Sequence, residues 1–134
     1  MRLFYIIAVI VLTFFVSGCG ILTDWIREEA GYPTMELMSA RKDALKQSFD
    51  ISYDQGFERA LNILDQMKAT VYAKNKKERY IVAIKIKGCL DTTDVGILFS
   101  EETPNKLSIE IFSKSPKAKN IVSTKMFSEL AEGK

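Results

Sequence analysis

The residues of this chain that most clearly invite chemistry are Val16-Ser17-Gly18-Cys19. Cys19 offers a thiol, and the two residues before it are small, so the backbone there can enter a narrow peptidase cleft in an extended form. A peptidase cut ahead of Cys19 would make it the first residue of the remaining chain. The stretch closes an apolar run from Leu3 to Phe15, broken only by Thr13, and Arg2 is the sole charge before Asp24. As a helix that run spans roughly 20 Å, short of the ~30 Å hydrocarbon core a permanent transmembrane helix must cross, and its length and flanks are those of a secretory leader. Two readings compete with it. A helix continued to Leu22 would make a plain membrane tether of about 20 residues, and cleavage without acylation would give an ordinary secreted chain. Ser17, Gly18 and Gly20 count against the first, because they weaken a helix where it would have to be continuous.

In composition and position the four residues resemble the lipobox of bacterial lipoproteins. The resemblance implies that residues 1–18 are a signal peptide and that Cys19 becomes the lipidated first residue of the mature chain. The protein would then be held to a membrane on the extracytoplasmic side of the cell envelope. Gly20 and Ile21 follow the cysteine with no aspartate between, which by the sorting pattern of such lipoproteins implies the periplasmic face of the outer membrane in an organism that has one. Two or three acyl chains at ~0.8 kcal/mol per buried methylene exceed what stable anchoring requires.

The other reactive residue types offer less. The chain contains no histidine, which removes Ser-His and Cys-His nucleophile pairs, His-ligated zinc and imidazole acid-base chemistry. With Cys19 acylated, Cys89 stands alone and reads as a small, partly buried apolar side chain rather than an activated thiolate. Asp91-Thr92-Thr93-Asp94 lacks the carboxylate density and glycine placement of a calcium loop. Glu101 and Glu102 are neighbours at a strand end and point apart, so loop capping is favoured over an acid-base pair. Lys74, Lys76, Lys77 and Arg79 form a basic tip suited to anionic headgroups or peptidoglycan or, more simply, to a soluble turn that discourages edge aggregation. The expectation is a non-enzyme with no cofactor and no metal. A formal charge of +2, reduced by one when Arg2 leaves with the leader, gives no electrostatic case for nucleic acid.

The elements that carry these residues are legible from periodicity. Residues 19–44 read as a lipidated N-terminus and tether. Ile21, Leu22, Trp25 and Ile26 lie near the anchor, Gly31-Tyr32-Pro33 breaks the chain, and a weak helical stripe of Leu37, Ala40, Arg41 and Ala44 follows. The globular domain is expected over residues 45–134. A strand carries Leu45, Phe49 and Ile51. Ser52 with Gln55 has capping-box spacing and opens a helix whose face is Phe57, Ala60, Leu61, Leu64 and Met67. Four strand signals follow. Thr70 to Lys74 comes first, and then a strand with Tyr80, Val82, Ile84 and Ile86 on its buried side. The third carries Val95, Ile97 and Phe99, and the fourth Leu107, Ile109 and Ile111. Ser115-Pro116 starts a last helix with Ala118, Ile121, Val122, Met126 and Leu130 inward and Gly133 as its stop. The resulting β-α-β-β-β-β-α order predicts a two-layer α+β domain. It has an antiparallel sheet in which the first strand pairs with the fifth, and both helices lie on one face.

Residues Phe49 to Leu61, running Phe-Asp-Ile-Ser-Tyr-Asp-Gln-Gly-Phe-Glu-Arg-Ala-Leu, resemble a group of small, uncharacterised bacterial lipoproteins in which an alternating strand enters a Tyr-Asp-x-x-aromatic-x-x-Ala-Leu helix. The resemblance extends over roughly residues 45–130, with Gly56 where alanine is expected, a change worth about 1 kcal/mol of helix propensity. In outline the layout is similar to TATA-binding-protein-like and helix-grip architectures and to accessory lipoproteins of outer-membrane assembly. The sheet face away from the helices should carry Tyr72, Ala83, Lys85, Leu98, Glu110 and Phe112. That face is apolar enough to bind an envelope protein or an acyl or peptide ligand, unless the tether with Trp25 and Tyr32 folds over it or its residues are a scatter of ordinary surface. The functional expectation is a membrane-anchored, non-enzymatic interaction or assembly module. The alternative is a domain that holds a lipid or hydrophobic peptide between sheet and helices.

Overall fold

The computed structural model describes residues 35–133, and Val16 to Cys19, Trp25 and Tyr32 lie outside them. A short helix α1 (Met35–Ser39) and a 3-10 turn (Ala40–Asp43) lead into β1 (Leu45–Phe49), followed by helix α2 (Tyr53–Gln66). Strands β2 (Thr70–Asn75), β3 (Tyr80–Ile84), β4 (Val95–Thr103) and β5 (Lys106–Phe112) come next, and helix α3 (Pro116–Ala131) closes the domain. The five strands form one antiparallel sheet in the order β1-β5-β4-β3-β2, so the first strand does pair with the fifth. The fold is α+β, as the element order predicts.

Both long helices start where their capping residues place them. The Ser52 hydroxyl accepts from the Gln55 N–H at 3.3 Å, and the Ser115 hydroxyl accepts from the Ala118 N–H at 3.2 Å with Pro116 in the first turn. Each cap satisfies one of the amides that a helix start leaves without an intrahelical partner. From α2, Phe57, Ala60, Ile63 and Leu64 are buried against the sheet, and from α3, Ala118, Val122, Met126 and Leu130. They meet Ile81, Ala83, Val95, Ile97, Phe99, Leu107, Ile109 and Ile111 from the strands, so both helices cover one face.

Gly56 has a reason that helix propensity conceals. A Cβ at this position would stand 2.2 Å from Leu107 Cδ2 and 3.2 Å from Ile51 Cδ1, and Leu107 is itself enclosed in the core. The first turn of α2 therefore approaches β5 more closely than alanine allows. Gly56→Ala should lower stability by up to about 2 kcal/mol, the overpacking cost of about 1–3 kcal/mol less the roughly 1 kcal/mol of regained propensity. Urea denaturation measures it; a more stable alanine variant would show that Leu107 yields freely.

Strand β3 departs from expectation. Ile81 and Ala83 face the helices, while Tyr80 and Val82 belong to a second apolar cluster on the other face. All four are buried, so the run is apolar on both sides and its own pattern does not choose a face. The sequence pattern puts Tyr80, Val82, Ile84 and Ile86 on one side of a strand running on to Lys87. The strand ends at Ile84, and Lys85 adopts a φ of 56°, a left-handed conformation that resets the side-chain alternation and returns Ile86 to the helix-side core. A register shift in β2 acts similarly. Val71 pairs with Ala83 and Ala73 with Val82, which makes Tyr72 the extra residue of a bulge, and Val71 and Ala73 join opposite clusters.

Candidate interaction surface

The second cluster is built on the helix-free face from Tyr80, Val82 and Phe112, with Leu98 and Ala73 packed at its margin. Gly96 and Phe112 are direct cross-strand partners, and the aromatic ring lies over the glycine. The face is not open. Leu37, 1 % exposed and the one buried residue of α1, packs into it with Met38, Ala40 and Ala44. Residues 35–44 thus form a strap over the sheet, and the folded unit starts before Leu45.

Polar bonds fasten the strap around Leu37. The Arg41 guanidinium donates from Nε to Glu110 Oε2 at 2.7 Å and from Nη2 to Oε1 at 3.3 Å, with Lys46 Nζ 4.0 Å from the same carboxylate. Lys114 pairs with Glu36, and Lys119 Nζ donates to the Asp43 carbonyl at 2.8 Å. The hydrogen bonds from Arg41 hold Glu110 below the usual carboxylate range, and the same contact raises Arg41. A carboxyl whose pKa is lowered by folding stabilises the native state above its unfolded value near 4.5, and that contribution disappears as pH falls through the lower folded value. Because Arg41 is half exposed, the pair contributes about 1 kcal/mol. Glu110→Gln should remove that amount at neutral pH and flatten the acid limb of a stability-against-pH curve. A variant whose acid limb matches the parent would assign the limb to other carboxylates.

The residues expected to line a docking face are therefore divided. Ala83 is 0 % exposed and lies under the helices, so it is not on the face proposed from sequence. Phe112 is on that face but is also 0 % exposed, beneath the strap. Leu98 is partly buried at the strap's margin, Glu110 is Arg41's partner, Lys85 is exposed in the loop after β3, and Tyr72 is 65 % exposed at the bulge. Sequence reasoning placed Leu37 and Arg41 on one weak helical stripe. The link from Arg41 to Glu110 spans 69 positions and leaves no local pattern.

A polar cleft of about 410 Å³ lies between α1, the loop after β3 and the turn into α3, bordered by Glu36, Thr93, Asp94, Ser113 and Lys114. The Ser113 hydroxyl donates to the Asp94 carbonyl at 2.6 Å and accepts from the Ser115 N–H at 3.1 Å, which ties the loop to the helix start. Burial pushes the Asp94 carboxyl up. Among the described residues no group of three or more His, Cys, Asp or Glu side chains is placed to hold a metal ion. Glu101 pairs with Arg79 at 3.3 Å, while Glu102 pairs with Lys106 at 3.6 Å and accepts from Ser48 at 2.8 Å, so the two carboxylates serve separate partners. Lys76 is drawn to Asp54 and Glu58, and Arg79 sits 5.0 Å over the Tyr53 ring, which docks the basic tip onto α2. Cys89 is free and packs against the helix-side core.

Comparison with protein-family models, with curated proteins and with solved structures finds no match. Among the described residues no helix is long and apolar enough to cross a membrane.

Proposed function

We propose that the chain is a lipid-anchored, non-enzymatic interaction module of the cell envelope, attached to its membrane through Cys19 and working by docking an envelope protein. The observation that carries the reading is the run Leu3 to Phe15 ending in Val16-Ser17-Gly18-Cys19. A leader too short to stay as a span stops at the one thiol positioned to take a lipid. The anchoring places the protein outside the cytoplasm, at the outer membrane where the cell has one. The domain supports docking better than enclosure of a ligand between sheet and helices, because Phe57, Leu64, Ile97, Ile109 and Met126 fill that space and are buried.

The test is a Cys19→Ser variant followed by intact-mass analysis of both proteins from a host that processes lipoproteins. The parent should lack residues 1–18 and carry acyl chains, while the variant should keep the leader and gain no lipid. A parent with its leader retained, or with an unmodified thiol, would remove the anchor. For docking, a photo-crosslinker at Tyr72 or Leu98 in cells should trap one discrete species. A smear of neighbours, together with a neutral Leu98→Glu, would exclude that face.

A further inference from the structure

We propose that one end of the domain rests on an anionic lipid surface, with Leu90 set among the headgroups and Lys85 and Lys87 against their phosphates. It deepens the anchored reading above and rests on it for the protein's orientation. The end in question gathers the starts of β1 and β2, the loop from Lys85 to Asp94 between β3 and β4, and the turn from β5 into α3. The first residues of α1 border the same cleft as Thr93, Asp94 and Lys114, so the chain enters the described fold at this end.

Two properties distinguish it. The first is where apolar surface remains uncovered. Among the described residues the exposed large apolar side chains are Leu90 at 78 %, Met35 at 73 %, Tyr72 and Leu45. Leu90 projects from the loop, Met35 and Leu45 open α1 and β1, and Tyr72 lies in the first half of β2. A single exposed leucine is ordinary, but all four lie toward one end of the sheet, with Leu45 and Tyr72 on its opposite edge strands and Leu90 and Met35 between. The second is charge. Lys42, Lys68, Lys85, Lys87 and Lys117 are exposed at this end against exposed Asp43, Asp65 and Asp91 and half-buried Asp94, and Glu36 and Lys114 cancel as a pair. The opposite end, formed by the turns at Lys76 and Pro104 and the start of α2, sets Asp50, Asp54, Glu58, Glu78, Glu101 and Glu102 against Lys74, Lys76, Lys77, Arg79 and Lys106. The molecule is therefore polarised, with the cationic, partly apolar end at the entry of the tether. A leucine flanked by lysines at 85 and 87 suits an interface where apolar tips enter and ammonium groups meet phosphate.

The test uses the acylated protein reconstituted in vesicles of phosphatidylcholine alone or enriched in phosphatidylglycerol. A Cys89→Ser background carries one environment-sensitive fluorophore, at Asp91→Cys beside an intact Leu90 or at Asn105→Cys on the opposite end. Lipid-borne quenchers should quench position 91 several-fold more than position 105, and only with the anionic lipid. Raised salt, Leu90→Ser, or Lys85→Gln with Lys87→Gln should return position 91 to the level of 105, each lysine being worth roughly a fivefold change in local partitioning. Equal quenching at both positions, or quenching indifferent to the lysines, overturns the proposal. So does protection of position 91 that needs an added envelope protein rather than lipid. Intact mass of the same preparation reports the acyl chains on Cys19 separately, so a failed anchor and a failed orientation are distinguishable.

Discussion

Gly96→Val should be the most damaging single substitution in the domain, at about 3–5 kcal/mol of lost stability. A Cβ on residue 96 would lie 2.4 Å from Phe112 Cζ and 2.5 Å from Cε2, so no valine rotamer coexists with the ring where it stands. The ring has no free space to move into. Phe112 is fully buried and packed with Tyr80, Val82 and Leu37, and residue 96 sits mid-sheet, paired to it directly. Glycine in a strand costs backbone entropy, and an aromatic laid across it from the neighbouring strand recovers the lost packing. Valine would expel the ring and lift the strap with it. Against the roughly 5–15 kcal/mol typical of a domain, that loss is a large fraction of the total. Denaturant midpoints would measure it, and the double variant Gly96→Ala with Phe112→Leu should lose less than the sum of its single changes. Additive losses would mean that the two residues do not compete for the same space.

Leu37→Asp should produce a different kind of damage, local rather than global. The carboxylate would replace the one apolar side chain that α1 buries, and a buried unpaired charge is not tolerated when a cheaper escape exists. Release of residues 35–44 is that escape. The strap's remaining bonds are partly exposed ion pairs and the Lys119 bond to the Asp43 carbonyl, and a five-residue helix has no stability of its own. The expected cost is about 2–4 kcal/mol, comparable to truncating a buried leucine. Amide exchange should accelerate over residues 37–44 and at the Phe112 end of β5, while Ile97 and Ile109 keep their protection. Dye binding to the uncovered Val82, Leu98 and Phe112 should rise. Uniform loss of protection across the sheet would show that strap and sheet unfold as one unit.

Helices α2 and α3 were legible from their serine caps and single apolar faces, and β5 because Ser108 and Glu110 alternate with Leu107, Ile109 and Ile111. The β2-β3-β4-β5 meander was legible from its short connections, whereas connectivity favoured but did not fix the pairing of β1 with β5 that the sheet shows. Strand β3 was misassigned because it is buried on both faces, where alternation has nothing to report, and because Lys85 leaves the strand through a left-handed turn. The docking face failed at Ala83 for that reason. It failed at Phe112 because the strap's contacts join residues more than 60 positions apart.

What the amino-acid sequence alone determined is the order and type of the elements, their caps and the two-helix face, all consequences of local periodicity and of hydrogen bonds within a few residues. Only the tertiary structure decided that Gly56 and Gly96 are sites of close approach and that residues 35–44 close the second face. It also decided that exposed apolar and cationic side chains collect at one end of the sheet. Those properties depend on which distant residues share a volume, and packing in three dimensions has no signature in a one-dimensional pattern.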